Sequence, residues 1–148
     1  YRNIEWPVVV MLAAMIPVGQ ALETSGISLN IANFISASTD GLALPWLILM
    51  VLVITMFVSD IVNNAATAVI MAPIAANLAF QVGQPVEPFL MAVAVGASCA
   101  FLSPIGHQCN TLVMAPGNYK FGDYWRLGLP LEIVIVAISI PMILFVWT

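Results

Sequence analysis

Side chains that could hold an ion or pass a proton are concentrated in two short stretches between apolar runs. The first is VSDIVNNAATA, Val58 to Ala68, which sets Ser59, Asp60, Asn63, Asn64 and Thr67 between apolar runs. The second is SPIGHQCNT, Ser103 to Thr111, with His107, Gln108, Asn110 and Thr111 beside Pro104 and Gly106. An unpaired polar group in hydrocarbon costs on the order of several kcal/mol, and a carboxylate near a bilayer centre at least ~2.5 kcal/mol. Residues kept there must bind or cap something. Where an apolar helix ends, its last carbonyls lack partners and carry negative dipole charge, which suits a dehydrated cation such as sodium. Where the next begins, backbone N–H groups point outward and suit an anion. Asn64 before Ala65, Ala66 and Thr67 is the expected N-cap of the first restart, and Asn110 before Thr111 repeats the arrangement. Pro104 interrupts the second stretch by removing a helix donor, and Gly106 by permitting unusual dihedrals.

The elements that must position these residues are apolar helices. The spacing predicts a span over 6–22, an amphipathic interfacial helix over 24–40, a re-entrant hairpin over 42–82, a broken helix over 88–115 and a last span over 126–147. In the interfacial segment Ile27, Ile31, Phe34 and Ile35 share one helical face. Each hairpin arm is shorter than the ~20 residues of a comfortable span, and the two arms meet at Asn63–Asn64. Non-helical backbone survives at that depth only when protein or a wet cavity covers it.

Composition sets the class. Of 148 residues, 62% are hydrophobic and 7% charged, which makes this an all-α integral membrane chain with no room for a soluble domain. Three basic residues exclude a nucleic-acid footprint. The net charge of -4 comes from scattered acids and implies no particular partner. Cys99 and Cys109 form neither a disulfide framework nor a metal spacing. Basic residues gather on the cytoplasmic side, so placing Arg2 inside makes the first span exit outward and returns Lys120 and Arg126 to the inside. The N-terminal end is then cytoplasmic and the C-terminal end outside, in a bacterial-type inner (plasma) membrane.

Three stretches, ALETSGIS, NNAATAVIMAPIA and FLSPIGHQCNTLVMAPGNYKFGDYWRLGLPL, resemble the divalent-anion/sodium symporter family, carriers of sulfate, dicarboxylates and citrate within the wider ion-transporter superfamily. The resemblance spans nearly the whole chain. It implies one inverted-repeat half of a secondary transporter, the C-terminal half, with an N-terminal repeat or partner half missing and a homodimer in the complete carrier. It further implies sodium as coupling ion, no other cofactor or metal, and an elevator-like movement of the hairpin and broken helix. A sodium ion would be held by Ser59, Asn63, Asn64, Gly106 and Gln108. The small anionic substrate would lie against Asn63, Asn64, Ala65, Thr67, His107, Asn110 and Thr111. Asp60 is the candidate for ion or proton coupling. The chain departs from the family pattern where Asn63-Asn64-Ala65 replaces Ser-Asn-Thr, and where His107-Gln108 replaces the Thr-Pro of carboxylate carriers. NNAATA with PIGHQCN looks more like the sulfate-type branch than the citrate-type one.

Each of these residues also has a plainer reading. Asn63 and Asn64 could only cap a helix, Asp60 could be a hydrogen-bonded structural acid, and His107 a packing residue. Glu132, in the first turns of the last span, could reach the cytoplasmic interface. Among functions, an arsenite or sodium/proton transporter component of the same superfamily is the alternative to anion symport. An intramembrane hydrolase is rejected, because one deep Asp and one His on different segments make no catalytic set.

Overall fold

A computed structural model of the protein describes residues 6–39 and 41–148. Arg2, on which the orientation partly rests, lies outside the described residues. Every regular element among those described is helical: α1 (Trp6–Thr24), α2 (Ile27–Ser38), α3 (Leu44–Ile61), α4 (Asn64–Gln81), α5 (Glu87–Ala97), α6 (Gln108–Met114), a 3-10 turn (Phe121–Asp123) and α7 (Tyr124–Trp147).

Local chemistry sets many of these limits. Pro45 and Pro88 stand in the first turns of α3 and α5, where a missing N–H costs nothing. Gly83, at φ 66°, ends α4 in the left-handed conformation, and the Gln84 N–H returns 3.0 Å to the Ala79 carbonyl, which satisfies the helix terminus. Gly26, at φ 71°, makes the sharp step from α1 to α2.

The core forms where α3, α4 and α5 meet, around Leu52, Ile48, Leu78 and Phe89, all essentially without exposure. Gly96 on α5 lets that helix lie on α3: an added Cβ would stand 2.9 Å from the Leu52 carbonyl oxygen and from Thr55 Cβ. α2 packs on α4 through small residues, with Ile35 partly buried against the core. Ser28 and Ala32 are the buried positions, whereas Ile27, Ile31 and Phe34 point outward. Short side chains admit the closer helix approach that van der Waals packing requires in lipid. Asn77 Nδ2 donates across this seam to Ser28 Oγ at 3.3 Å.

Among the described residues, two helices, α3 and the run Phe121–Trp147, are long and apolar enough to cross a membrane. The outer faces of α1 and α7 carry exposed Val10, Ile16, Leu127, Ile133 and Phe145. Such faces suit lipid or further protein, and not water.

Candidate functional site

The two polar stretches are folded against each other. α3 ends at Ile61 and α4 starts at Asn64, and residues 98–107 separate α5 from α6. Ser59 ties the interruptions together: its Oγ lies 2.8 Å from the Ala97 carbonyl oxygen at the end of α5 and 3.0 Å from Asn64 Oδ1 at the start of α4. The hydroxyl is fully buried and has one proton for these two acceptors. Three oxygens therefore converge where the C-terminal ends of α3 and α5 meet the start of α4.

Asp60 and Ser103 clamp the same junction. Asp60 Oδ1 accepts from the Leu102 N–H at 3.0 Å, while Ser103 Oγ donates to the Asp60 carbonyl at 2.7 Å. Ser103 Oγ also accepts from the N–H groups of Ile105 and Gly106, at 3.2 and 3.1 Å. Gly106 then sits directly on the α3 end. A Cβ there would lie 2.7 Å from Ala100 Cβ and 3.0 Å from the Ser59 carbonyl oxygen. Its φ is outside the left-handed region, so glycine is required for space and not, as the sequence reading had it, for an unusual dihedral.

Two capping expectations are corrected. Asn63, not Asn64, caps α4: its Oδ1 accepts from the Ala66 N–H at 2.8 Å, which frees Asn64 to turn toward Ser59. His107, not Asn110, caps α6, with Nδ1 accepting from the Cys109 N–H at 3.1 Å. Asn110 instead donates from Nδ2 to the carbonyls of Ala100 and Ser103, at 2.9 and 3.0 Å, and its own carbonyl accepts from the Tyr124 hydroxyl at 2.6 Å. An asparagine inside a helix found long-range carbonyls to bond, which the spacing could not disclose.

The remaining predicted residues separate by exposure. Ala65 is half-buried in the first turn of α4. With the Ala66 N–H held by Asn63 Oδ1 and the Thr67 N–H by the Asn63 carbonyl, Asn64 and Ala65 supply the two N–H groups of that turn without a helical partner. Thr67 is fully buried and its Oγ1 has no hydrogen-bond partner. Thr111 is exposed and donates to the Pro104 carbonyl at 2.6 Å. Gln108 opens α6, and its side chain lies outside the described residues. Ser59, Asp60, Asn64 and Gly106 are thus assembled around one junction. Among the described residues, no hydrogen bond carries the side chains of His107 or Thr111 to it. No cluster of three His, Cys, Asp or Glu side chains suited to a metal occurs among the described residues.

Sequence reasoning missed three participants: the Ala97 carbonyl, Ser103 and Gly128. Gly128 on α7 abuts the segment between α5 and α6, where an added Cβ would collide with the Phe101 carbonyl. Ser103 before Pro104 had a local signal, since a short hydroxyl ahead of a proline commonly bonds the following N–H groups. The others had none.

The citrate transporter family matches the chain over residues 1–96 and again over 44–148. An uncharacterized transporter of Escherichia coli is 36% identical over 97% of this chain and 23% of its own length. A probable sodium/sulfate cotransporter of Chlamydomonas reinhardtii is 33% identical over 93% of the chain and 16% of its own length. A sodium-dependent high-affinity dicarboxylate transporter of Caenorhabditis elegans is 31% identical over 90% of the chain and 24% of its own length. The chain therefore spans a quarter or less of these relatives.

Proposed function

This chain belongs to the citrate transporter family, a family of membrane transporters and not of enzymes, and from that premise we propose that it forms the ion- and anion-holding part of a secondary active carrier. The cargo is a small divalent anion, sulfate or a dicarboxylate, and the coupling ion is sodium. The observation that carries this reading is the convergence of Ser59 Oγ, Asn64 Oδ1 and the Ala97 carbonyl where the C-terminal ends of α3 and α5 meet the start of α4. Oxygen ligands with negative dipole charge suit a dehydrated alkali cation. Beside them the Asn64 and Ala65 N–H groups, with only small side chains in front, suit an anion that neutralises the cation. Thr67 Oγ1, buried without a partner, is a further oxygen in the same turn of α4. Opposed helix ends meeting at membrane depth are how secondary transporters hold substrate and coupling ion together.

In this proposal α3 and α4 form a re-entrant hairpin that turns at Val62–Asn63, and α5 and α6 form one broken helix. At ~1.5 Å per residue, the 11 residues of α5 cover about 17 Å, roughly half of a ~30 Å hydrocarbon core. The other repeat completes the site, the complete carrier is a homodimer, and hairpin and broken helix carry the anion in an elevator-like movement. Lys120 and Arg126 mark the cytoplasmic side of a bacterial-type inner membrane. The names of the algal and nematode relatives support both the cargo class and sodium.

The test is uptake of labelled sulfate and succinate into proteoliposomes of the complete carrier, with and without an inward sodium gradient. Accumulation of one of them that collapses without sodium is expected. Flat uptake of both would overturn the symporter reading.

A further inference from the structure

The assembled site leaves one buried acid unused. Glu132 is the ninth residue of α7, about 12 Å along the helix from Tyr124. It does not reach out to the interface: the residue is 8% exposed, it faces the backbone of Phe101, and its Oε1 is buried without a hydrogen-bond partner. The cleft around it is apolar, walled by Val53, Met56 and Phe57 of α3 and by Leu129, Ile133 and Val136 of α7.

The elements packed on α7 bring it no cation among the described residues. α3 supplies Asp60, a second acid within electrostatic range, and the segment after α5 supplies the Cys99 thiol. The one acid of α5, Glu87, is exposed at the opposite end of that helix, ten residues from Ala97. The 3-10 turn supplies Asp123, whose Oδ2 accepts from the Lys120 N–H at 2.8 Å. Lys120 precedes that turn, outside the helix. Arg126, six residues before Glu132 on α7, points to a different face at ~100° per residue. The Glu132 carboxyl thus stands between apolar walls, one oxygen unpartnered, with the Phe101 backbone and a second acid in range and no base from these elements.

We propose that Glu132 is a proton-binding site of the carrier, holding a proton while the cleft between α3 and α7 is closed and releasing it when the cleft opens to water. Closed and open forms then differ by one bound proton, so acid favours the closed form and alkali the open one. The role is separate from that of the Ser59 junction. Only the transport readout of the test rests on the reading above.

Two measurements decide it. In the complete carrier reconstituted in lipid, infrared spectra at neutral pH should contain the C=O stretch of a protonated carboxyl that is lost in Glu132→Gln and kept in Glu87→Gln. In proteoliposomes at saturating sodium, uptake by the parent should vary between mildly acidic and mildly alkaline buffer. Glu132→Gln should flatten that profile, and Glu132→Asp should restore part of it. A band that survives Glu132→Gln, or that vanishes only in Asp60→Asn, would overturn the assignment. So would an unaltered pH profile in an active Glu132→Gln carrier. If the parent takes up neither anion, the symport reading fails, and the infrared band still decides whether Glu132 holds a proton.

Discussion

Ser59 is the residue on which the junction turns, because one buried hydroxyl reaches two otherwise separate helix ends. Ser59→Ala removes that oxygen and leaves the Ala97 carbonyl without its hydroxyl donor. The half-saturating sodium concentration for uptake is expected to rise about tenfold or more, the equivalent of ~1.4 kcal/mol of lost binding. Asn64→Ala should act the same way. Asn77→Ala, whose partner is Ser28 at the α2–α4 seam, should leave sodium dependence unchanged and lower stability by ~1 kcal/mol, read as the melting temperature in detergent. Equal effects of Asn64→Ala and Asn77→Ala on sodium dependence would make the tip asparagine structural. The presence of polar residues at this depth was legible in the sequence. Their division of labour was not: Asn63 and Asn64 are identical side chains, and only the direction each takes at the start of α4 separates the capping asparagine from the one facing Ser59.

Between elements, glycines set the spacing. Gly96 lets α5 meet α3, Gly106 lets the interruptions touch, and Gly128 lets α7 press on Phe101. Gly128→Ala would drive a methyl into backbone that cannot yield as a flexible side chain would. A loss of about 1–3 kcal/mol is expected, seen as a lower melting temperature than the parent. Gly122→Ala is the control, since a Cβ there meets nothing within 4 Å. A Gly128→Ala protein as stable as Gly122→Ala would show that α7 is not held against the α5–α6 segment. The helices themselves were largely readable from apolar runs punctuated by Gly, Pro and Asn. The apolar face of α2 was readable in the same way, whereas the small-residue face by which it meets α4 was not, because helices in lipid approach through short side chains that carry no hydropathy signal.

At the scale of the molecule, the proposed re-entrant hairpin is tested by where its tip stands. In a cysteine-free background, Leu42→Cys and Gln84→Cys should react with a membrane-impermeant thiol reagent from one and the same face. Asn63→Cys should react slowly from either face, and more slowly still with sodium and anion present. Rapid reaction of Asn63→Cys from the opposite face, unaffected by either ion, would mean that α3 and α4 cross completely. The same distinction governs transport, since a tip fixed at the far surface could not share a midplane site with the α5–α6 segment.

What the sequence determined by itself is the solvent and the punctuation. A chain so poor in charge must live in lipid, and Pro, Gly and Asn interrupt helices through local sterics and local hydrogen bonds that need no distant partner. The tertiary structure alone decided which groups face one another. Ser59 meets a carbonyl 38 residues away, Asp60 an N–H 42 residues away, and Glu132 turns inward against Phe101 and not outward to the interface. Such pairings depend on how whole helices pack, and helix packing in lipid is set by shape complementarity between faces, which no single stretch of sequence contains.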